Sequence, residues 1–154
     1  MAGWTLFPLL GKENHAKLVG LLGVSGVACV AIGIAVLVSP VPIAAQIGYE
    51  FSTPGGQGEF MTFYGGFYAG IGLFLLAATR ARSLRPGAVA FLACSATIAI
   101  PVRVYSLTQF ETTAIVFYQL LAGEILFAIA GWIGWYWVRQ ARPVSGAEGT
   151  GGRV

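Results

Sequence analysis

The chain has 154 residues, of which 56% are apolar and only 10% charged, and its net charge is +3. A soluble domain carries about a quarter charged residues, so this composition does not furnish a soluble surface, whereas it does furnish a lipid-facing one. The length fits one domain. The lone His15 and the two cysteines, Cys29 and Cys94, speak against a metal-ligand set, a His-based acid–base mechanism and a disulfide framework.

Along the chain, Trp4, Leu6, Phe7, Leu9 and Leu10 form a short apolar patch before Lys12. Residues 1–16 therefore read as an interfacial segment, with His15 solvated or at headgroup level. A bilayer core of about 30 Å takes roughly 20 apolar residues in a helix. Four stretches meet that length: 17–38, 60–79, 87–107 and 113–138. The first exceeds the usual signal-peptide core of about 7–15 residues and reads as a retained helix. It ends at Ser39-Pro40-Val41-Pro42, which opens the longest connection, 39–58. That connection reads as a loop capping the outer end of the bundle, ahead of a ligand gate. Pro101 removes a backbone donor and should kink the third stretch. Trp132, Trp135, Tyr136 and Trp137 read as an aromatic belt at the inner end of the fourth. Residues 139–154 end in a Gly-, Ser- and Thr-containing tail expected to be disordered. The expected fold is all-α: a polytopic membrane protein whose residues 17–138 form a four-transmembrane-helix bundle.

Charge placement orients that bundle. Lys12, Lys17, Arg80, Arg82, Arg85, Arg139, Arg142 and Arg153 all fall on one side of four spans. That side is expected to be cytoplasmic, so both termini are placed on the cytoplasmic side of the membrane. The opposite connections hold Glu50, Glu59 and Glu111 and no basic residue. In lipid, helices associate through close backbone approach at small residues. Span one offers Ser25, Cys29 and Gly33 on one face, span two Gly66-x-x-x-Gly70 beside Gly65 and Ala69, and span four Ala130 and Gly134. These serve packing within the chain or self-association.

Arg103 and Glu124 are the only charges inside the apolar stretches. Arg at a helix centre costs about 3 kcal/mol on insertion scales. At about 1.5 Å per residue, Arg103 lies roughly 9 Å from the outer end and Glu124 roughly 16 Å deep. An Arg side chain spans that difference, and the short 108–112 connection makes the two helices antiparallel neighbours. Ser106 lies one turn beyond Arg103, and Tyr64 and Tyr68 lie in the outer half of span two. Three spans thus place polar groups in the outer half, which suggests an outward-opening cavity. The alternatives are an Arg103 that snorkels to the headgroups, a neutral Glu124, or a structural bridge fixing helix register.

From Glu59 the chain reads Glu-Phe-Met-Thr-Phe-Tyr-Gly-Gly-Phe-Tyr-Ala-Gly-Ile-Gly-Leu-Phe-Leu-Leu. This resembles a bacterial family of small four-helix membrane proteins catalogued as a domain of unknown function. The likeness includes the Tyr-Gly-Gly and Gly-Leu-Phe-Leu-Leu pieces, an Arg-x-x-Ser step at Arg103 and Ser106, and the acid at Glu124. It departs at Val102, where that family usually has Gly. The resemblance spans about residues 17–138 and implies four helices but no activity. A looser likeness to sterol isomerase-like and quinone-linked membrane families rests on span count and buried acids alone.

The leading expectation is a non-enzymatic membrane protein that binds a lipid-like ligand or serves as an accessory subunit, alone, as a homo-oligomer or in a larger complex. Arg103 would hold an anionic or carbonyl head group, with Tyr64, Tyr68 and Ser106 as hydrogen-bond partners and Glu124 as counter-charge. The alternatives are an enzyme acting on an isoprenoid or sterol-like substrate with Glu124 as proton carrier, and a proton-coupled carrier. No cofactor, metal or nucleic acid is expected.

Overall fold

A computed structural model of the chain describes residues 12–109 and 115–140. The apolar patch at residues 4–10, the 110–114 connection with Glu111, and most of the tail lie outside the described residues. Helix α1 (Lys12–Val38) stops at Ser39, where Pro40 and Pro42 remove backbone donors. A proline fits the first turn of a helix, so the chain restarts at once as α2 (Pro40–Gln46). It turns away at Gly48, whose φ of 77° favours glycine. Thr53 then caps α3 (Pro54–Phe60), its hydroxyl accepting from the Gly56 N–H at 3.2 Å. The helix widens into a π segment (Met61–Phe67) and tightens again as α4 (Tyr68–Arg80). A 3₁₀ turn (Arg82–Leu84) leads into α5 (Arg85–Gln109), and α6 is Ile115–Gln140.

The described residues are all-α, and four rods are long and apolar enough to cross a membrane: Glu13–Val38, Pro54–Arg80, Arg82–Gln109 and Ile115–Gln140. The second begins at Pro54, earlier than the expected residue 60, and the 39–58 connection holds two short helices. The reason is local: Pro40 and Pro54 each start a helix, where they cost no hydrogen bond. Pro101 sits inside α5, which continues through it. Residue 97 thereby loses its usual backbone donor. The Thr97 hydroxyl links α5 to α6, donating to the Ala93 carbonyl at 2.6 Å and accepting from the Trp132 indole at 3.0 Å.

We call the end where α4 meets α5 proximal and the end where α1 meets α2 distal. The helices pack as two pairs, α1 on α4 and α5 on α6. The α1–α4 seam is built by glycines one heptad apart. A Cβ on Gly26 would fall 3.0 Å from the Gly72 carbonyl, and one on Gly33 would fall 2.6 Å from the Gly65 carbonyl and the Ala69 nitrogen. On α6, Gly131 presses against the Ala93 backbone and Gly134 against Val89. Ser25 and Cys29 are buried in line with Gly33. Gly66 and Gly70, by contrast, face open space. The Gly-x-x-x-Gly pattern is therefore not the seam; the neighbouring Gly65 and Gly72 are. Cys29 is buried and Cys94 exposed, and both thiols are free.

Leu18 and Leu22 of α1, Leu75 of α4, Val89 and Leu92 of α5, and Val138 of α6 share one core. This four-helix core is a proximal feature. Beyond Ala96 on α5, and before Ala128 on α6, neither helix has a buried residue. The distal core is separate and smaller, with Val36, Ala44 and Phe60 drawn from α1, α2 and α3. Ala44 is 0% exposed there, so α2 caps the α1–α3 junction. Trp135 and Trp137 pack against the proximal core, whereas Trp132, which is tied to Thr97, and Tyr136 are the exposed members of the expected aromatic belt.

Candidate functional site

Arg103 and Glu124 meet across the α5–α6 interface. The Arg103 Nε donates to both Glu124 oxygens at 2.8 Å, and Nη2 donates to Oε1 at 2.5 Å. Such charge-assisted, forked contacts fix orientation as well as adding energy. Counting along the axis, Arg103 lies about 9 Å from the end of α5 and Glu124 about 13 Å from the start of α6. Both lie in the distal halves that lack buried residues, and their side chains remain 25% and 19% exposed. Nη1 of Arg103 takes no part in the pair, so the guanidinium retains donors for a further acceptor.

The other expected site residues divide between two settings. Ser106 is half-buried and, among the described residues, makes no hydrogen bond to Arg103 or Glu124. The Tyr64 hydroxyl pairs with the Tyr49 hydroxyl at 3.1 Å, and its ring stacks on Phe60 with centroids 4.7 Å apart. Tyr68 is partly exposed. Both tyrosines lie within electrostatic reach of Arg103, and Tyr68 also within reach of Glu124. They line a distal cleft of about 560 Å³, whose walls also include Tyr49, Phe63, Glu50 and Glu59. The structure thus gathers Tyr64 and Tyr68 in an aromatic cleft whose lining does not include Arg103, Glu124 or Ser106, while the charges of the ion pair bear on Tyr68.

Two features of this arrangement lie outside the sequence reading. One is the aromatic stripe itself. Phe60, Phe63, Tyr64, Phe67 and Tyr68 follow helical spacing in the sequence, a signal that was available from periodicity. The π segment carries three of these residues, Phe63, Tyr64 and Phe67; π turns interrupt helices frequently at functional sites.

The second is Arg85, which the charge pattern assigns simply to the basic loop. It is 5% exposed. Its Nε donates to the Ala78 carbonyl at 3.0 Å, its Nη2 to the Thr79 carbonyl at 2.7 Å, and its Nη1 to His15 Nδ1 at 3.0 Å. The first residue of α5 therefore satisfies the orphan carbonyls that end α4. His15 is accordingly a partly buried acceptor that ties α1 to this junction.

Residues 18–135 match the family described as a domain of unknown function, DUF4345. The chain belongs to that family. Comparison with curated proteins and with solved structures finds no match.

Proposed function

We propose that this DUF4345 member is a multi-pass protein of a bacterial inner membrane that binds a lipid-like amphiphile at the Arg103–Glu124 pair, alone or as a subunit of a larger complex. In this reading the four long rods span the bilayer, the basic proximal end is cytoplasmic and the distal end faces outward. Lys17, Arg80, Arg82, Arg85 and Arg139 occupy the proximal end, while Glu50 lies in the distal connection and Glu59 in α3, near the distal start of the second rod. That asymmetry supports the orientation.

One observation carries the binding reading: an intramembrane ion pair that is partly open, in the half of α5–α6 that buries nothing else. A purely structural bridge gains most from being sealed, because water and lipid headgroups compete with an exposed one. Pairing also selects the ligand. Glu124 cancels the Arg103 charge, so the site favours a neutral acceptor, such as a carbonyl, over a free anion. The remaining guanidinium donors hold that acceptor, Tyr68 and Ser106 flank it, and the acyl or isoprenoid chain lies against the exposed distal faces of α5 and α6. The enzyme reading is weaker, because both Glu124 oxygens are engaged by Arg103 and neither stands apart as a proton carrier.

The test is extraction and mass-spectrometric identification of lipid that copurifies with the protein. The expected result is a carbonyl-bearing amphiphile enriched over the bulk membrane, at about one per chain, and depleted in Arg103→Leu. Lipid of bulk composition, unchanged in that variant, would overturn the reading.

A further inference from the structure

The distal cleft carries a second inference, independent of the Arg103–Glu124 reading. Its charge is one-sided. Glu50 and Glu59 line it, and the ion pairs among the described residues are Lys17–Glu13 and Arg103–Glu124, so neither of these carboxylates has a described cationic partner. Its walls are aromatic. Tyr49 and Phe63 are 46% and 61% exposed, so ring surface is accessible at the cleft. The rings are held in place by one another: Tyr49 meets Tyr64 edge-on at 5.9 Å as well as through the hydroxyl contact, and Tyr64 stacks on Phe60.

Ring faces attract cations, more strongly where the cation is desolvated, and aromatic cages recognise quaternary ammonium groups. A bare metal ion does not fit this lining, because its two carboxylates are set among mostly aromatic walls and, among the described residues, no group of three His, Cys, Asp or Glu side chains could hold one. The volume of about 560 Å³ is that of an organic ligand site. Phe63 and Phe67 are exposed on the same rod and give the cleft an apolar margin. We propose that the cleft between the 49–52 segment and the π segment is a binding site for the ammonium head of a cationic amphiphile.

The full chain in a neutral maltoside detergent is titrated calorimetrically with decyltrimethylammonium, below its micellar concentration, and in parallel with decyl sulfate. Saturable binding of the ammonium compound and none of the sulfate is expected. Glu50→Gln with Glu59→Gln removes the field, and Phe63→Leu removes a ring face while keeping an apolar side chain. Each is expected to weaken binding about tenfold, the equivalent of ~1.4 kcal/mol. All three positions are exposed, so a folded protein is expected, and an unchanged unfolding midpoint verifies it. Equal affinity for the two probes, non-saturable uptake, or unchanged affinity in both variants would overturn the proposal. Because Arg103 and Glu124 are intact throughout, this outcome is separable from that of the lipid-extraction test.

Discussion

The Arg103 guanidinium closes on both oxygens of Glu124 in the part of the α5–α6 hairpin where neither helix has a buried residue. The partners are therefore held by each other more than by surrounding packing. Removing one partner of a buried pair costs about 3–5 kcal/mol, because the other charge is left uncompensated; the partial exposure here places the cost near the lower end of that range. Arg103→Leu and Glu124→Leu are each expected to lower the unfolding midpoint in detergent. The double variant is expected to recover most of that loss without recovering bound amphiphile. Thermal unfolding and lipid analysis on the same preparations separate folding from binding.

The glycine seam makes a second prediction. A Cβ at Gly33 meets the Gly65 carbonyl and the Ala69 nitrogen, which are backbone atoms with no rotamer to yield. Gly33→Ala is expected to destabilise by about 1–3 kcal/mol, as overpacking does. Gly70 has open space around it, so Gly70→Ala is expected to stay within about 0.5 kcal/mol of the parent. Unfolding of the two variants side by side checks which glycines form the seam.

Arg85 links three helices at the proximal end. Arg85→Leu leaves the Ala78 and Thr79 carbonyls without this donor, at about 1–3 kcal/mol for unsatisfied buried groups. Faster amide exchange is expected across residues 76–88, with the distal amides of α3 unchanged. His15→Ala removes one acceptor only and is expected to have a smaller effect on the same peptides.

Orientation is checked by fusion reporters. A reporter after Val154 is expected to be active on the cytoplasmic side, and one inserted after Ser52 on the outer side.

The four rods and the charge asymmetry were legible in the sequence, because long apolar runs and the placement of Lys and Arg are one-dimensional signals. Arg103 and Glu124 were legible for the same reason: a charge in an apolar run stands out without any knowledge of its neighbours. The choice of Gly65 and Gly72 over Gly66 and Gly70 was not. Adjacent residues lie about 100° apart around a helix, and only the partner helix decides which face is used. Arg85 was hidden among loop arginines, since its role depends on carbonyls that a helix end leaves open. The pairing of the Trp132 indole with the Thr97 hydroxyl is visible only once α5 and α6 are side by side. The aromatic stripe was present in the spacing of Phe60, Phe63, Tyr64, Phe67 and Tyr68, but an apolar face in a membrane helix does not distinguish a cleft wall from a lipid-facing surface.

The central claim, an amphiphile held at the open Arg103–Glu124 pair, is tested most directly by photolabelling in reconstituted vesicles. The probe is a carbonyl-headed lipid with a diazirine near its head, mapped by peptide mass spectrometry. Saturable labelling is expected on the 97–109 and 115–127 segments, competed by excess unlabelled lipid and lost in Arg103→Leu. Labelling spread evenly over the exposed faces of all four rods, and indifferent to both competitor and substitution, would contradict it.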